Sequence, residues 1–332
     1  MSTLGALAAL VVGAAFGYGA QRGAFCMSSG FRGVIEGEWT KVKALGLAVA
    51  LQLLLLPVVF ATGWSRSAQL PLKPTAAIAG GVLFGASMRW AGGCAAGVWY
   101  KLGAGDVGAL LAILGMALGA TASDSGPLLG VRDALQEAIP TAASWTPPLA
   151  VSVGAGLLLL AALARMADGR AGAWSWRKTG LWVGVVATLA WPASATAGRD
   201  FGLAVVPGTT GLLSAVAGRP FPGWDALLVL GVLIGGWLAA RQEGPIGLSS
   251  PKPTALLKRF AGGLGLGIGA SIATGCTVGH GLTGLALLAP GSFVVMGAIL
   301  GGSTLAALIA RRLEAASSPM VPSSPRAEEI PR

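Results

Sequence analysis

The chain has 332 residues, of which 54% are hydrophobic and 11% charged, with 23 Lys plus Arg against 13 Asp plus Glu. A soluble globular domain carries roughly 25% charged residues, so this composition excludes an ordinary soluble protein and indicates a membrane protein. The basic excess is scattered between apolar segments and forms no aromatic-studded patch, which argues against a nucleic-acid partner and leaves the charges as markers of membrane orientation.

Residues 1–20 have no Lys or Arg before their apolar run and continue into the motif Gln21-Arg22-Gly23-Ala24-Phe25-Cys26, so they are expected to be a mature segment and not a signal peptide. Arg22, Arg32, Lys41 and Lys43 then mark a cytoplasmic loop and place the N-terminus outside. Residues 44–65 are uncharged, enough for a span of about 20 apolar residues, and run outward to a poorly charged loop with Arg66 and Lys73. Residues 127–139 read as a short amphipathic helix at the outer interface, with Arg132, Asp133, Gln136 and Glu137 set among Leu128, Leu129, Val131, Leu135 and Ile139. Residues 144–164, 179–198 and 226–240 are again uncharged. Arg165, Arg170, Arg177 and Lys178 mark a second cytoplasmic loop, and Arg241, Lys252, Lys258 and Arg259 a third. Residues 260–310 are uncharged between Lys258-Arg259 and Arg311-Arg312, two cytoplasmic ends that require an even number of passes. The Ser- and Pro-rich tail from Glu314 reads as disordered and cytoplasmic.

The chain contains a repeat. Ala79-Gly80-Gly81, Gly85, Ala91, Gly93-Cys94 and Gly97 recur as Ala261-Gly262-Gly263, Gly267, Ala273, Gly275-Cys276 and Gly279, all at one constant spacing and without a gap. Phe16-Gly17, Trp39 and Gly46 recur as Phe201-Gly202, Trp224 and Gly231 at a second, slightly longer spacing, which pairs Cys26 with Gly211. The helix after Lys43 runs outward and its counterpart before Arg241 runs inward, so the repeat is inverted, a recurrent transporter plan with a site near the midplane. The expected fold is an all-α polytopic membrane protein with about nine spanning helices and short, broken or re-entrant helices meeting at the midplane. Residues 1–123 form the first repeat, 124–178 a connecting segment with the amphipathic helix and one span, 179–313 the second repeat, and 314–332 the tail.

The Gly- and Thr-rich stretch around Cys276 disfavours continuous helix, so the segment is expected to break there, and around Cys94 from the other side. Non-helical backbone at membrane depth is tolerated only where protein or a water-filled cavity satisfies its polar groups, which implies a site at each break. The three cysteines are far apart and never form a CxxC pair, so neither a disulfide framework nor a zinc site is indicated. Gln21 and Arg22 flank Cys26 and are candidates to meet an anion or backbone carbonyls. His280, the only histidine, is read as a hydrogen-bonding or packing residue and not a metal ligand. Asp106, Asp124, Asp200 and Asp225 lie near segment ends and are read as caps and loop residues. No cofactor and no nucleotide-binding motif are expected.

The run from Gln21 to Cys26, followed by Gly93-Cys94-Ala95-Ala96-Gly97 and Gly275-Cys276-Thr277-Val278-Gly279, resembles the YeeE/YedE family of sulfur transport proteins over roughly residues 4–310. The resemblance implies a bacterial inner-membrane protein, not an enzyme, that takes up thiosulfate through an hourglass-shaped body with a line of cysteines. It also implies a small cytoplasmic sulfur-carrier or sulfurtransferase partner, beside membrane lipid. Cys26, Cys94 and Cys276 match the family's cysteines, with Gln21, Arg22, Gly93, Gly97, Gly275, Thr277, Gly279 and His280 in support. Half-helix N-termini suit the oxygens of such a dianion and neutral thiols offer weak S–H donors to its soft sulfur, whereas thiolates would repel it. Passage is expected from Cys94 on the outer side to Cys276 and then Cys26 by non-covalent S–H···S contacts. Another sulfur or selenium species, a soft-metal channel, and a membrane sulfurtransferase using a cysteine persulfide are the alternatives.

Overall fold

The computed structural model describes residues 2–68, 70–139, 147–220 and 223–317. Among the described residues, nine helices of 16 or more residues make the body: α1 (Thr3–Arg22), α3 (Thr40–Ala61), α4 (Pro74–Ala91), α6 (Val107–Asp124), α8 (Leu149–Ala164), α9 (Trp176–Ala195), α11 (Trp224–Arg241), α12 (Pro253–Ile272) and α13 (Pro290–Ser317). Between them lie the short helices α2 (Met27–Ile35), α5 (Ala95–Gly103), α7 (Leu129–Glu137) and α10 (Val206–Val216), and a π-helical turn, Gly279–Gly284. Among the described residues there is no β-strand, only two isolated bridges. Helix α13 takes in the first residues expected to belong to the tail, and the rest of that tail, 318–332, lies outside the described residues.

Local signals start these helices. The side chains of Ser2, Asp106 and Ser175 accept hydrogen bonds from the amides of Gly5 (3.1 Å), Gly108 (3.1 Å) and Lys178 (3.3 Å), each satisfying a first-turn donor that has no intrahelical partner. Pro74 and Pro253 open α4 and α12, where a missing N–H costs nothing. Among the described residues, five segments are long and apolar enough to cross a membrane: Thr3–Ile35, α3, α6, α11 and Pro290–Leu313. The other four long helices are less apolar or shorter. Arg89 ends α4, Lys258 and Arg259 lie in α12, Arg177 and Lys178 open α9, and α8 has only 16 residues.

Ion pairs and hydrogen bonds sort the connections to two ends. Arg22 meets Glu243 (3.3 Å), Arg259 meets Asp106 (2.6 Å), Arg311 meets Glu36 (3.1 Å) and Lys43 donates to the Ala167 carbonyl (3.4 Å) at one end, which gathers all three basic loops. At the other, the Arg66 amide donates to Asp200 (3.0 Å) and Arg132 pairs with Asp124 (3.1 Å). There α7 lies on the surface, with the Gln136 amide donating to the Ser271 and Ile272 carbonyls and accepting from Lys73.

The packing is reciprocal. Helix α1 lies against α11, and α9 against α3; α4 lies against α13, and α12 against α6. The closest approaches repeat as well. A Cβ on Gly85 would sit 2.1 Å from the Ile299 carbonyl oxygen, and one on Gly267, its counterpart in the second copy, 2.1 Å from that of Met116. Small residues let backbones touch in this way in membrane bundles, where burial of apolar surface drives little association.

The elements revise two of the sequence pairings. Trp39 caps α3 and Trp224 follows the cap of α11, Gly223, so that match holds to within one residue. Phe16 is inside α1, however, whereas Phe201 lies in the connection after α9. Cys26 caps α2 and Val205 caps α10, so the structural counterpart of Cys26 is Val205, not Gly211. The connection before α2 spans residues 23–26 and that before α10 spans 196–205, so one fixed offset cannot hold across both.

Candidate functional site

Each cysteine stands at the start of a half-helix or turn, after a residue with left-handed backbone. Gly92 (φ +78°) ends α4 and delivers Cys94 to the N-cap of α5. Ala24 (φ +45°) precedes Cys26 at the N-cap of α2, and Thr274 (φ +62°) precedes Cys276 at the second break. For a residue other than glycine this backbone costs of order 1–3 kcal/mol and persists only where surroundings enforce it, characteristically at functional sites. Both breaks expected from the sequence are therefore present as chain geometry.

At the basic end, two half-helices face each other through their thiols. The Cys26 and Cys94 sulfurs lie 3.7 Å apart, and the Cys94 amide donates to the Cys26 sulfur at 3.5 Å. The amides of Met27, on α2, and Gly97, on α5, face the Cys94 sulfur. Cys26 lines two cavities, of about 100 and 360 Å³, which also hold Arg32, Arg89, Lys41 and Lys101. Lys41 donates to the Ser29 hydroxyl at 2.6 Å, and Lys101 donates to the Gly92 carbonyl at the turn itself. Gln21 lines the larger cavity, as does Tyr100, whose hydroxyl is beside Cys26.

At the opposite end, the amides of Val205 and Val206 on α10, and of Val278 and Gly279 entering the π-helical turn, face the Cys276 sulfur. This thiol lines a cavity of about 310 Å³ with Thr274, Gly275, Gly279 and His280. Its arrangement is that of the basic end with Val205 in place of Cys26. All three thiols are free and buried. Between the sites, the Trp99 indole of α5 donates to the Thr209 hydroxyl of α10 at 2.9 Å, so a short helix of each half meets the other's in the interior.

The expected order of cysteines is corrected by this geometry. Cys94 does not stand alone on the outer side with Cys26 beyond Cys276. It shares a site with Cys26 at the basic end, and Cys276 is at the other, because α4 descends to the basic end before it breaks and α12 leaves that end before it breaks.

The supporting residues divide. Gly97 is required by the thiol pair, since a Cβ there would lie 2.8 Å from the Cys26 sulfur and 3.4 Å from that of Cys94. Gly93 continues the turn, its amide donating to the Met88 carbonyl at 3.2 Å. Thr277 is buried beside Cys276, its hydroxyl without a hydrogen-bond partner among the described residues. Arg22 pairs with Glu243 and lines neither cavity of Cys26. His280 is held between the Ser292 hydroxyl and the Ala273 carbonyl, both 3.0 Å away. A carbonyl only accepts, so Nε2 carries the proton, and in the neutral ring Nδ1 accepts from Ser292. Among the described residues no three His, Cys, Asp or Glu side chains cluster to hold a metal ion. Ser292→Ala would strand the buried Nδ1 at a cost of about 1–3 kcal/mol and is expected to lower the thermal denaturation midpoint in detergent; an unchanged midpoint would show that the ring does not lock the turn.

Sequence reasoning missed the charged lining. In the sequence Lys41 and Arg32 stand out only as topology markers, and Asp225 as a segment-end residue, although Asp225 and Arg199 pair at 2.9 Å within the Cys276 cavity. The available signal was two opposite charges bordering apolar runs on either side of α10.

A helical membrane bundle with two facing half-helix sites, each at a buried thiol and each opening to one end, defines a polytopic transport protein. A family model described as Sulphur transport matches residues 22–305, and the chain belongs to that family, as its resemblance to YeeE/YedE proteins implied. It is 33% identical over 328 residues to a protein of Spirochaeta thermophila named "Thiosulfate transporter TsuA", covering 91% of this chain and 98% of that one. It is 29% identical over 309 residues to a protein of Escherichia coli K12 of the same name, covering 85% and 88%.

Proposed function

We propose that this chain takes up thiosulfate across the bacterial inner membrane, passing the intact ion from Cys276 to Cys94 and on to Cys26 by non-covalent contacts. The observation that carries the reading is the pair of thiols set among converging backbone amides at opposite ends of the bundle. An unpaired charge in an apolar interior costs up to tens of kcal/mol on an idealised Born scale, so a dianion needs its hydration replaced throughout. Half-helix N-termini supply N–H groups and partial positive charge for the oxygens, and thiols supply soft, weak donors for the terminal sulfur. Weak successive contacts favour release. Cys94 precedes Cys26 in this order because Cys26 lines the basic-end cavities and Cys94 lines neither of them.

Retention of Lys and Arg on the cytoplasmic side supports a cytoplasmic basic end and an external N-terminus. Residues 1–123 and 179–313 are the two inverted repeats in this account, joined by residues 124–178. The cations around Cys26 then meet the emerging anion and offer a docking face to a small cytoplasmic sulfur-carrier or sulfurtransferase. A strain unable to import inorganic sulfur is expected to grow on thiosulfate, and not on sulfate or selenite, when it expresses this chain. Growth on sulfate but not on thiosulfate would overturn the choice of substrate.

A further inference from the structure

We propose that Arg199 and Asp225 form an anion-selecting subsite in the Cys276 cavity, in which the guanidinium binds an oxyanion group of the cargo and Asp225 is the counter-ion that the cargo displaces. This rests on the reading of the chain as a thiosulfate carrier and adds a site that the cysteines do not provide. The pair joins the connection after α9 to the first turn of α11, with side chains 20% and 19% exposed, mostly desolvated yet open to the cavity. Nη1 of Arg199 donates to the carbonyls of Phe201 (2.9 Å) and Gly202 (2.8 Å), and the guanidinium lies 5.1 Å from the Phe201 ring centroid. One edge of the guanidinium is thus anchored independently of Asp225, whose carboxylate forms its ion pair with Nη2 and accepts no hydrogen bond through Oδ1 among the described residues. If the carboxylate swings away, the cation stays.

The rest of the lining leaves this role to Arg199. It is the only Lys or Arg among the described residues lining the cavity, whose walls include Leu70, Phe201 and Val205, and both ring nitrogens of His280 are already occupied. A carboxylate in an anion pathway would repel a dianion unless a cation neutralised it. The pair leaves the cavity neutral at rest and sets a threshold. Only an anion that competes with a carboxylate for a guanidinium can take the site, and a doubly charged oxyanion with two oxygens for the planar fork does so where chloride does not. The basic end differs: Lys41 and Lys101 bond to a hydroxyl and a carbonyl, and Asp106 is held by Arg259.

The test is thiosulfate uptake into liposomes reconstituted with the full chain, at fixed protein per vesicle, with chloride or gluconate outside. Arg199→Gln is expected to raise the half-saturating thiosulfate concentration about tenfold, the scale of one charge-assisted contact, with a smaller change in maximal rate. Asp225→Asn is expected to move it the opposite way and to make uptake sensitive to chloride. Shifts of the same sign in both variants would mark a purely structural clamp, and an unchanged half-saturation in Arg199→Gln would remove the subsite; either overturns the proposal. Wild-type protein that takes up no thiosulfate defeats the underlying reading, and the ligand assigned here with it, before any substitution is made.

Discussion

Gly97→Ala is expected to reduce thiosulfate uptake at least about tenfold while the protein still inserts and purifies. The added methyl would stand 2.8 Å from the Cys26 sulfur and 3.4 Å from the Cys94 sulfur, inside the roughly 3.5–4.0 Å at which non-bonded heavy atoms attract. Gly97 is also on the first turn of α5, where its amide faces Cys94. The thiols must therefore separate or the half-helix must retreat, and either costs about 1–3 kcal/mol as overpacking. The disturbance falls wholly on the basic-end site. Gly301→Ala, on α13 with nothing within 4 Å of the new methyl, is the matched control and should transport as wild type. Equal uptake by the two variants would mean that the Cys26–Cys94 contact does not carry the ion.

Cys276→Ala is expected to have a comparable effect from the other end. The substitution leaves α12, the π-helical turn and the amides of Val205, Val206, Val278 and Gly279 in place but removes the soft donor they surround. The loss of one hydrogen bond, about 1 kcal/mol, would slow transfer several-fold, and an unfilled gap in a buried site adds to that. Growth on thiosulfate as sole sulfur source should fail for Cys276→Ala, with protein present in the membrane at wild-type amount. Normal growth would reduce Cys276 to a small apolar packing residue.

Much of this was legible in the chain. Alternating uncharged runs and basic loops located the long helices, because lipid demands apolar length and the cytoplasm retains Lys and Arg. The recurrence of Gly93-Cys94 as Gly275-Cys276 located both breaks, because a helix cannot pass smoothly through Gly92-Gly93 or Thr274-Gly275. The partner of Cys26 was not legible. Connections of four and ten residues before α2 and α10 shift the register between the halves, so Cys26 aligns with Val205 only when the half-helix caps are compared. Nor could sequence alone bring Cys26 to Cys94, 68 residues away, since that contact depends on α2 and α5 meeting end to end. Arg199 and Asp225 escaped notice for the same reason: each resembles an ordinary segment-end charge until α10 brings them into one cavity.

The two sites are alike in backbone and unlike in chemistry. Both surround a thiol with amides from two converging chain starts, and the repeat accounts for that. Val205 in place of a second cysteine, and a neutral ion pair in place of several cations, make the Cys276 end the weaker holder of an anion. On the proposed reading, a dianion moving from Cys276 toward Cys26 meets more soft donors and more positive charge as it goes.

On the proposed reading the ion crosses whole, touching the thiols without bonding to them. Uptake into liposomes of thiosulfate carrying different isotopes on its two sulfur atoms tests this most directly. Both labels are expected inside in equal amounts, with no mass added to any cysteine. Arrival of the terminal sulfur alone, with sulfite left outside and a cysteine heavier by one sulfur, would contradict the account and make the protein a sulfur-transferring thiol.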